Sequence, residues 1–217
     1  MQHTFSFLTQ LRNNNNRDWL QANQPSFRAA EAEFRELVSG LIQDLSQVEP
    51  ALGGLEVKDC TFRIYRDVRF SNDKTPYKAH FSAYFAAGGK KSNQAGYYFH
   101  LKPGGETLAA GGLYQPSAED LKKVRQEIDY NAAEFRAIVE GSDFRRYFGE
   151  LGGSKLKRPP KHYPADHPEI EYIKHKDFIV QHLFADETVL KPLFRQELTK
   201  AWQALQPLVR FLNRALE

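Results

Sequence analysis

Between Lys74 and Gly105 there is no aspartate or glutamate. Nor is there a second cysteine: Cys60 stands alone, which excludes an intrachain disulfide and fits a reducing compartment. No apolar run approaches the length needed to cross a bilayer, and the opening MQHTFSFLTQLR has no basic leader ahead of an apolar block. These absences point to a soluble, cytoplasmic protein with no membrane partner. No internal repeat occurs, and no linker is long enough to separate domains, so residues 1–217 read as a single domain. With 41% hydrophobic and 26% charged residues the chain has enough apolar material for a sizeable core.

The net charge is only +3, but its distribution is uneven. Residues 58–102 carry +6 and residues 153–176 carry +3, which leaves −6 for the rest. A local concentration of cations suggests an anionic partner, whereas the modest total argues against nucleic acid. The second basic segment reads as a solvated loop. The first does not, because its charges are interleaved with aromatic residues.

Hydrophobic spacing predicts helix, then sheet, then helix. Thr4 is placed to cap a short helix carrying Phe5, Leu8 and Leu11, the run Asn13–Asn16 ends it, and Asn16 can cap the next turn. Pro25 suits the first position of a long helix whose core face holds Phe27, Ala30, Phe34, Leu37, Val38, Leu41, Ile42 and Leu45. From Val57 the period becomes two. Cys60, Phe62, Ile64, Val68 and Phe70 would face one way, and Thr61, Arg63, Tyr65, Asp67 and Arg69 the other. Arg66 interrupts the apolar face and needs a buried partner or a bulge. Strands follow at about 80–85, 97–102 and 106–114, an antiparallel meander.

Ser117 with Asp120 then opens a helix, and residues 150–170 read as a long ordered loop. Asp177–Phe184 fits either a strand or a helical turn. From Asp186 the chain is helical, with Leu193, Leu198, Trp202, Leu205, Val209 and Leu212 inward and a kink or break before Pro207. The expected class is α+β: a meander sheet flanked by N-terminal and C-terminal helices.

The chemistry gathers in TFRIYRDVRFSNDKTPYK, residues 61–78, and on the strands after it. In a hairpin centred near Lys91, His80, Ser82 and Tyr84 share a face with Tyr98, His100 and Lys102. Arginine forks match carboxylate or phosphate oxygens in two parallel hydrogen bonds, so converging arginines suit an anionic ligand. The candidate binding residues are therefore Arg63, Arg66, Arg69, Asp73, Lys74, Tyr77, Lys78 and Tyr98, with Asp73 fixing its own turn. For proton transfer, should chemistry occur there, His100 and Asp67 are the first choices.

An alternative has Asp59, Asp67 and Asp73 neutralising Arg63, Arg66 and Arg69 in a purely structural network. The histidines 162, 167, 175 and 182 lack metal-ligand spacing, so neither a metal nor a cofactor is expected. Cys60 falls on the apolar face as a buried thiol, and Gly88-Gly89-Lys90-Lys91-Ser92 lacks the phosphate-loop pattern.

With NNNRDW near the start, RIYRDVRFSNDKTPYK after the long helix, GYYFHL in the sheet and PLVRFLNRAL near the end, the chain resembles a bacterial and fungal family of conserved hypothetical proteins. That family is catalogued as domain of unknown function 2461. The resemblance spans nearly the whole length and implies one full-length domain, with the RDVRF…DKTPYK block as its hallmark. It carries no established activity, substrate or catalytic residue.

Three functions follow from the residues. The first is a site for a phosphate- or carboxylate-bearing small molecule, with or without catalysis. The second is an interaction scaffold whose basic loop is structural. The third is a single-strand nucleic-acid module that stacks bases on the sheet's aromatic residues.

Overall fold

The asparagine run that ends the first helix also starts the second. In the computed structural model, which describes residues 1–69 and 72–217, α1 spans Gln2–Asn13 and α2 spans Arg17–Ala22. Asn16 Oδ1 accepts the Trp19 N–H at 2.8 Å and so caps α2. Thr4 is not the cap of α1 but lies inside it. Its N–H and hydroxyl both reach Glu33 Oε2, at 2.8 and 2.7 Å, a tertiary partner that local spacing could not show.

The long helix α3 is Gln24–Val48 with Pro25 in its first turn, and it buries Ala30, Phe34, Val38, Leu41 and Leu45. After it come α4 (Val57–Cys60), β1 (Phe81–Phe85), β2 (Gly96–Leu101) and β3 (Thr107–Leu113). Next are α5 (Ala118–Tyr130), α6 (Ala132–Val139), α7 (Ser142–Phe148) and α8 (Ile170–Ile173). The chain finishes with β4 (Phe178–Phe184), α9 (Asp186–Val189) and α10 (Phe194–Leu216). The strands form one antiparallel sheet in the order β1-β2-β3-β4, and the fold is α+β.

The first expected strand does not form. Val57–Cys60 is a turn of helix, closed where Asp59 Oδ2 accepts the Glu56 N–H at 3.0 Å. Residues 61–66 then run beside 76–83 through two isolated antiparallel bridges, Thr61 to Ala83 and Tyr65 to Tyr77. Pro76 has no N–H to give, so a continuous ladder cannot extend through it. Phe70, expected on the apolar side, lies outside the described residues.

Asp177–Phe184, ambiguous in sequence, supplies β4 from Phe178 onward. Of the kink or break expected before Pro207 the break is absent, since α10 continues through the proline. Leu193, expected inward, is exposed, and Phe194 next to it is buried instead.

Two compact units make up the chain. In the first (Met1–Lys91, Tyr98–Ala109, Leu183–Thr199), Phe34 is the hub of an aromatic core. Its ring lies 5.3 Å from Phe81 and 6.0 Å from Phe99, and Phe99 meets Phe194 at 6.0 Å. Arg195 grips Asp44 with Nε and Nη2, at 2.7 and 2.6 Å, across bare Gly40.

In the second unit (Ser92–Tyr97, Ala110–His182, Lys200–Glu217), Trp202 packs 5.7 Å from Tyr97 and donates to the Ala110 carbonyl at 3.2 Å. Asn213 brackets Ala95, accepting its N–H at 2.8 Å and donating to its carbonyl at 3.1 Å. Ser117 caps α5 by accepting the Asp120 N–H, as its spacing predicts.

Candidate functional site

Alternation along HFSAYF and GYYFHL sets the site. Phe81, Ala83 and Phe85 of β1, with Tyr97, Phe99 and Leu101 of β2, are buried. Their neighbours His80, Tyr84, Tyr98 and His100 are only half-buried. On that opposite side His80 and His100 stack face to face, with centroids 4.3 Å apart and planes 1° from parallel. Tyr98 meets His100 edge-on at 6.2 Å and shares a hydrogen bond with the buried Ser82 hydroxyl. His100 Nε2 is buried with no hydrogen-bond partner. An orphaned buried nitrogen costs about 1–3 kcal/mol, so it calls for an explanation.

Cations crowd this pair. Burial holds the His80 imidazolium pKa down to about 3, with His100, Lys78, Lys102 and Arg66 adding repulsion. His100 is lowered to about 4, first by burial and then by Lys102, with Glu106 opposing. Both rings are therefore neutral at pH 7. Lys78 is also depressed, by burial and then by Arg63 and Arg66, and its ammonium sits 5.8 Å from the Phe62 ring centroid. Among the described residues neither Lys78 nor Arg63 forms a direct ion pair, although Arg63 contributes to the field that lowers Asp67.

The arginines separate into two groups. Arg66 pairs with Asp73. Arg69 is held bidentately by Asp67, at 2.9 and 2.6 Å, and both are well exposed. Exposed pairs of this kind add little stability, and the pairing keeps Asp67 below the usual carboxylate range. Arg69 and Asp67, offered from sequence as a ligand contact and a base, are thus engaged with each other.

Asp73 also accepts the Thr75 N–H and hydroxyl, at 2.9 and 2.7 Å, which fixes the turn as its position suggested. Lys74 Nζ donates to the Val68 carbonyl at 3.0 Å. The Tyr77 ring is buried, edge-on to Tyr65 at 5.4 Å. Its backbone is held by Asn15, which accepts the Tyr77 N–H at 3.1 Å and donates to its carbonyl at 2.9 Å.

The structure thus gathers Arg66, Lys78, His80, Tyr98, His100 and Lys102, with Arg63 beside Lys78. Arg69 and Lys74 make the contacts above within the loop, and the Tyr77 backbone is held by Asn15. Sequence reasoning put His80 on the right face without giving it a role, and it missed Asn15 altogether. Glu106, paired with Lys102, was also missed. Elsewhere, Cys60 is buried with its thiol pushed up to about 11, chiefly by burial. Among the described residues no group of three His, Cys, Asp or Glu side chains is placed to hold a metal ion. No described helix is long and apolar enough to cross a membrane.

Neutral buried histidines make stability depend on pH. Their folded pKa values lie below the ordinary 6.5, so the unfolded chain binds more protons between about pH 4 and 6.5. Stability is full above pH 6.5 and falls as acid is added. The melting temperature should drop by several degrees between pH 7 and 5, and less steeply in the H80Q/H100Q double variant. Parallel pH profiles by differential scanning calorimetry would contradict the burial of these rings.

These features define an α+β protein with a half-buried, cation-rich histidine and tyrosine face on its sheet. The chain belongs to the family described as conserved hypothetical protein (DUF2461), whose model matches residues 3–211. Neither the curated proteins nor the solved structures contain a match.

Proposed function

We propose that this face binds a phosphate- or carboxylate-bearing small molecule. The observation that carries the reading is the environment of the His80–His100 stack: a buried, unpartnered Nε2 set among more cations than acids. Among the described residues Arg63, Arg66, Lys78 and Lys102 are paired directly only with Asp73 and Glu106, while Asp67, which also feels Arg63, is taken up by Arg69. An oxyanion would balance that charge and give the imidazole N–H groups an acceptor. His100 is the residue placed to move a proton on such a ligand, because it touches the site and its neutral form can act as a base.

Sulfate titration by calorimetry tests this. Wild type should bind, and K78Q should bind about 10- to 100-fold more weakly, the range expected for removing one charge-assisted contact. K161E, a charge change in the loop 150–170, should bind like wild type. Equal affinity in K78Q and wild type would remove the proposal.

A second reading draws on the Arg66–Asp73 and Arg69–Asp67 pairs, which satisfy two of the three arginines inside their own loop. On that reading the block is structural and the protein is an interaction scaffold. Absence of any sulfate binding by wild type would favour it.

A further inference from the structure

Resting on the anion-binding reading, we infer that the site takes a doubly charged oxyanion, of the phosphate monoester kind, together with one proton carried by the His80–His100 pair. The charge count sets the valence. Arg63, Arg66 and Lys78 come from the segment before β1, and Lys102 from the end of β2. Against them stand Asp73 on Arg66 and Glu106 on Lys102, while the Asp67–Arg69 pair near Arg63 cancels itself and Tyr98 is neutral. With Arg12 sharing Glu106 from 3.9 Å, at least two positive charges remain for a ligand to match.

The stack sets the proton count. Neither ring has a hydrogen bond from the described residues, and in its neutral form each offers one N–H. An oxyanion accepts only, so a ring that gains a proton gives it a second, charge-assisted donor. Rings stacked 4.3 Å apart do not readily carry two charges, so the pair takes up one proton and not two. By themselves Lys78, Lys102 and Arg66 oppose that proton, which agrees with the depressed His80 and His100. A bound dianion reverses the sign of the local field and admits it.

Calorimetry of the full chain with sulfate decides the matter, because sulfate has no proton of its own to exchange near neutrality. Titrations in two buffers of different ionisation enthalpy should report close to one proton taken up per sulfate. Affinity should fall about tenfold per pH unit on the alkaline side of the bound pair's pKa. Nitrate, of single charge, should bind at least about tenfold more weakly. H80Q and H100Q should each still bind sulfate, with proton uptake and pH slope reduced in at least one of them.

Sulfate binding without proton uptake, or sulfate and nitrate binding alike, overturns this inference and leaves the anion site standing. Sulfate binding at no pH overturns the anion site itself.

Discussion

Gly112→Ala should cost about 3 kcal/mol or more and lower the melting temperature by about 10 °C. Gly112 lies in β3 with φ +110, a conformation that L side chains rarely adopt. A Cβ there would lie far inside the summed van der Waals radii of carbon and oxygen from the Phe178 carbonyl oxygen, and 3.0 Å from its carbon, at the start of β4. The variant must both strain its own backbone and push the β3 and β4 strands apart. Two penalties of about 1–3 kcal/mol each are involved, and neither has a flexible side chain to absorb it. Thermal unfolding would check this. A near-neutral G112A would show that the backbones do not approach so closely.

Trp202→Ala should be at least as damaging, by about 3–5 kcal/mol. The indole is fully buried in the second unit, packed against Tyr97, and its Nε1–H satisfies the Ala110 carbonyl. Truncation removes the largest fully buried side chain among the described residues, opens a cavity and takes the indole donor away from that carbonyl. Trp202→Phe keeps part of the volume but loses the hydrogen bond, so it should recover about half of the loss. Urea titrations of the two variants give the ratio. Equal destabilisation by Ala and Phe would place the weight on the hydrogen bond rather than on packing.

Much of this fold was legible because its signals are local. Phe34, Val38, Leu41 and Leu45 announce the buried face of α3 by spacing alone. The alternation in GYYFHL is enough to separate Tyr97 and Phe99 from Tyr98 and His100. Asn16 and Ser117 cap the helices they precede, since a cap reaches only two or three residues ahead.

What failed depends on partners distant in sequence or on a fine local choice. Thr4 looks like a cap until Glu33 claims it, and Asn15 acquires a role only beside Tyr77, 62 residues away. Val57–Cys60 fits a period of two, but reciprocal capping by Asp59 turns it into helix. Phe178–Phe184 is a short apolar run, and its pairing beside β3 depends on the glycine opposite.

The candidate site divides in the same way. Excess positive charge in residues 61–78 was visible in composition, but composition cannot say which arginine meets which acid. Arg66 and Arg69 found aspartates in their own loop, whereas Lys78 found none among the described residues. The stacked histidines, more than the arginine forks, therefore carry the case for an anion. Alternation placed them correctly, and only the fold could show their contact.

The most direct measurement is a long-range proton–nitrogen spectrum of the imidazole rings, recorded with and without sulfate at pH 6.5. Without it, His80 and His100 should show the nitrogen shifts of neutral rings. With it, one ring nitrogen of the pair should move toward the imidazolium position, and the five remaining histidines should stay where they were. Unchanged spectra for His80 and His100 at saturating sulfate would contradict the claim that this pair takes up a proton with a bound anion.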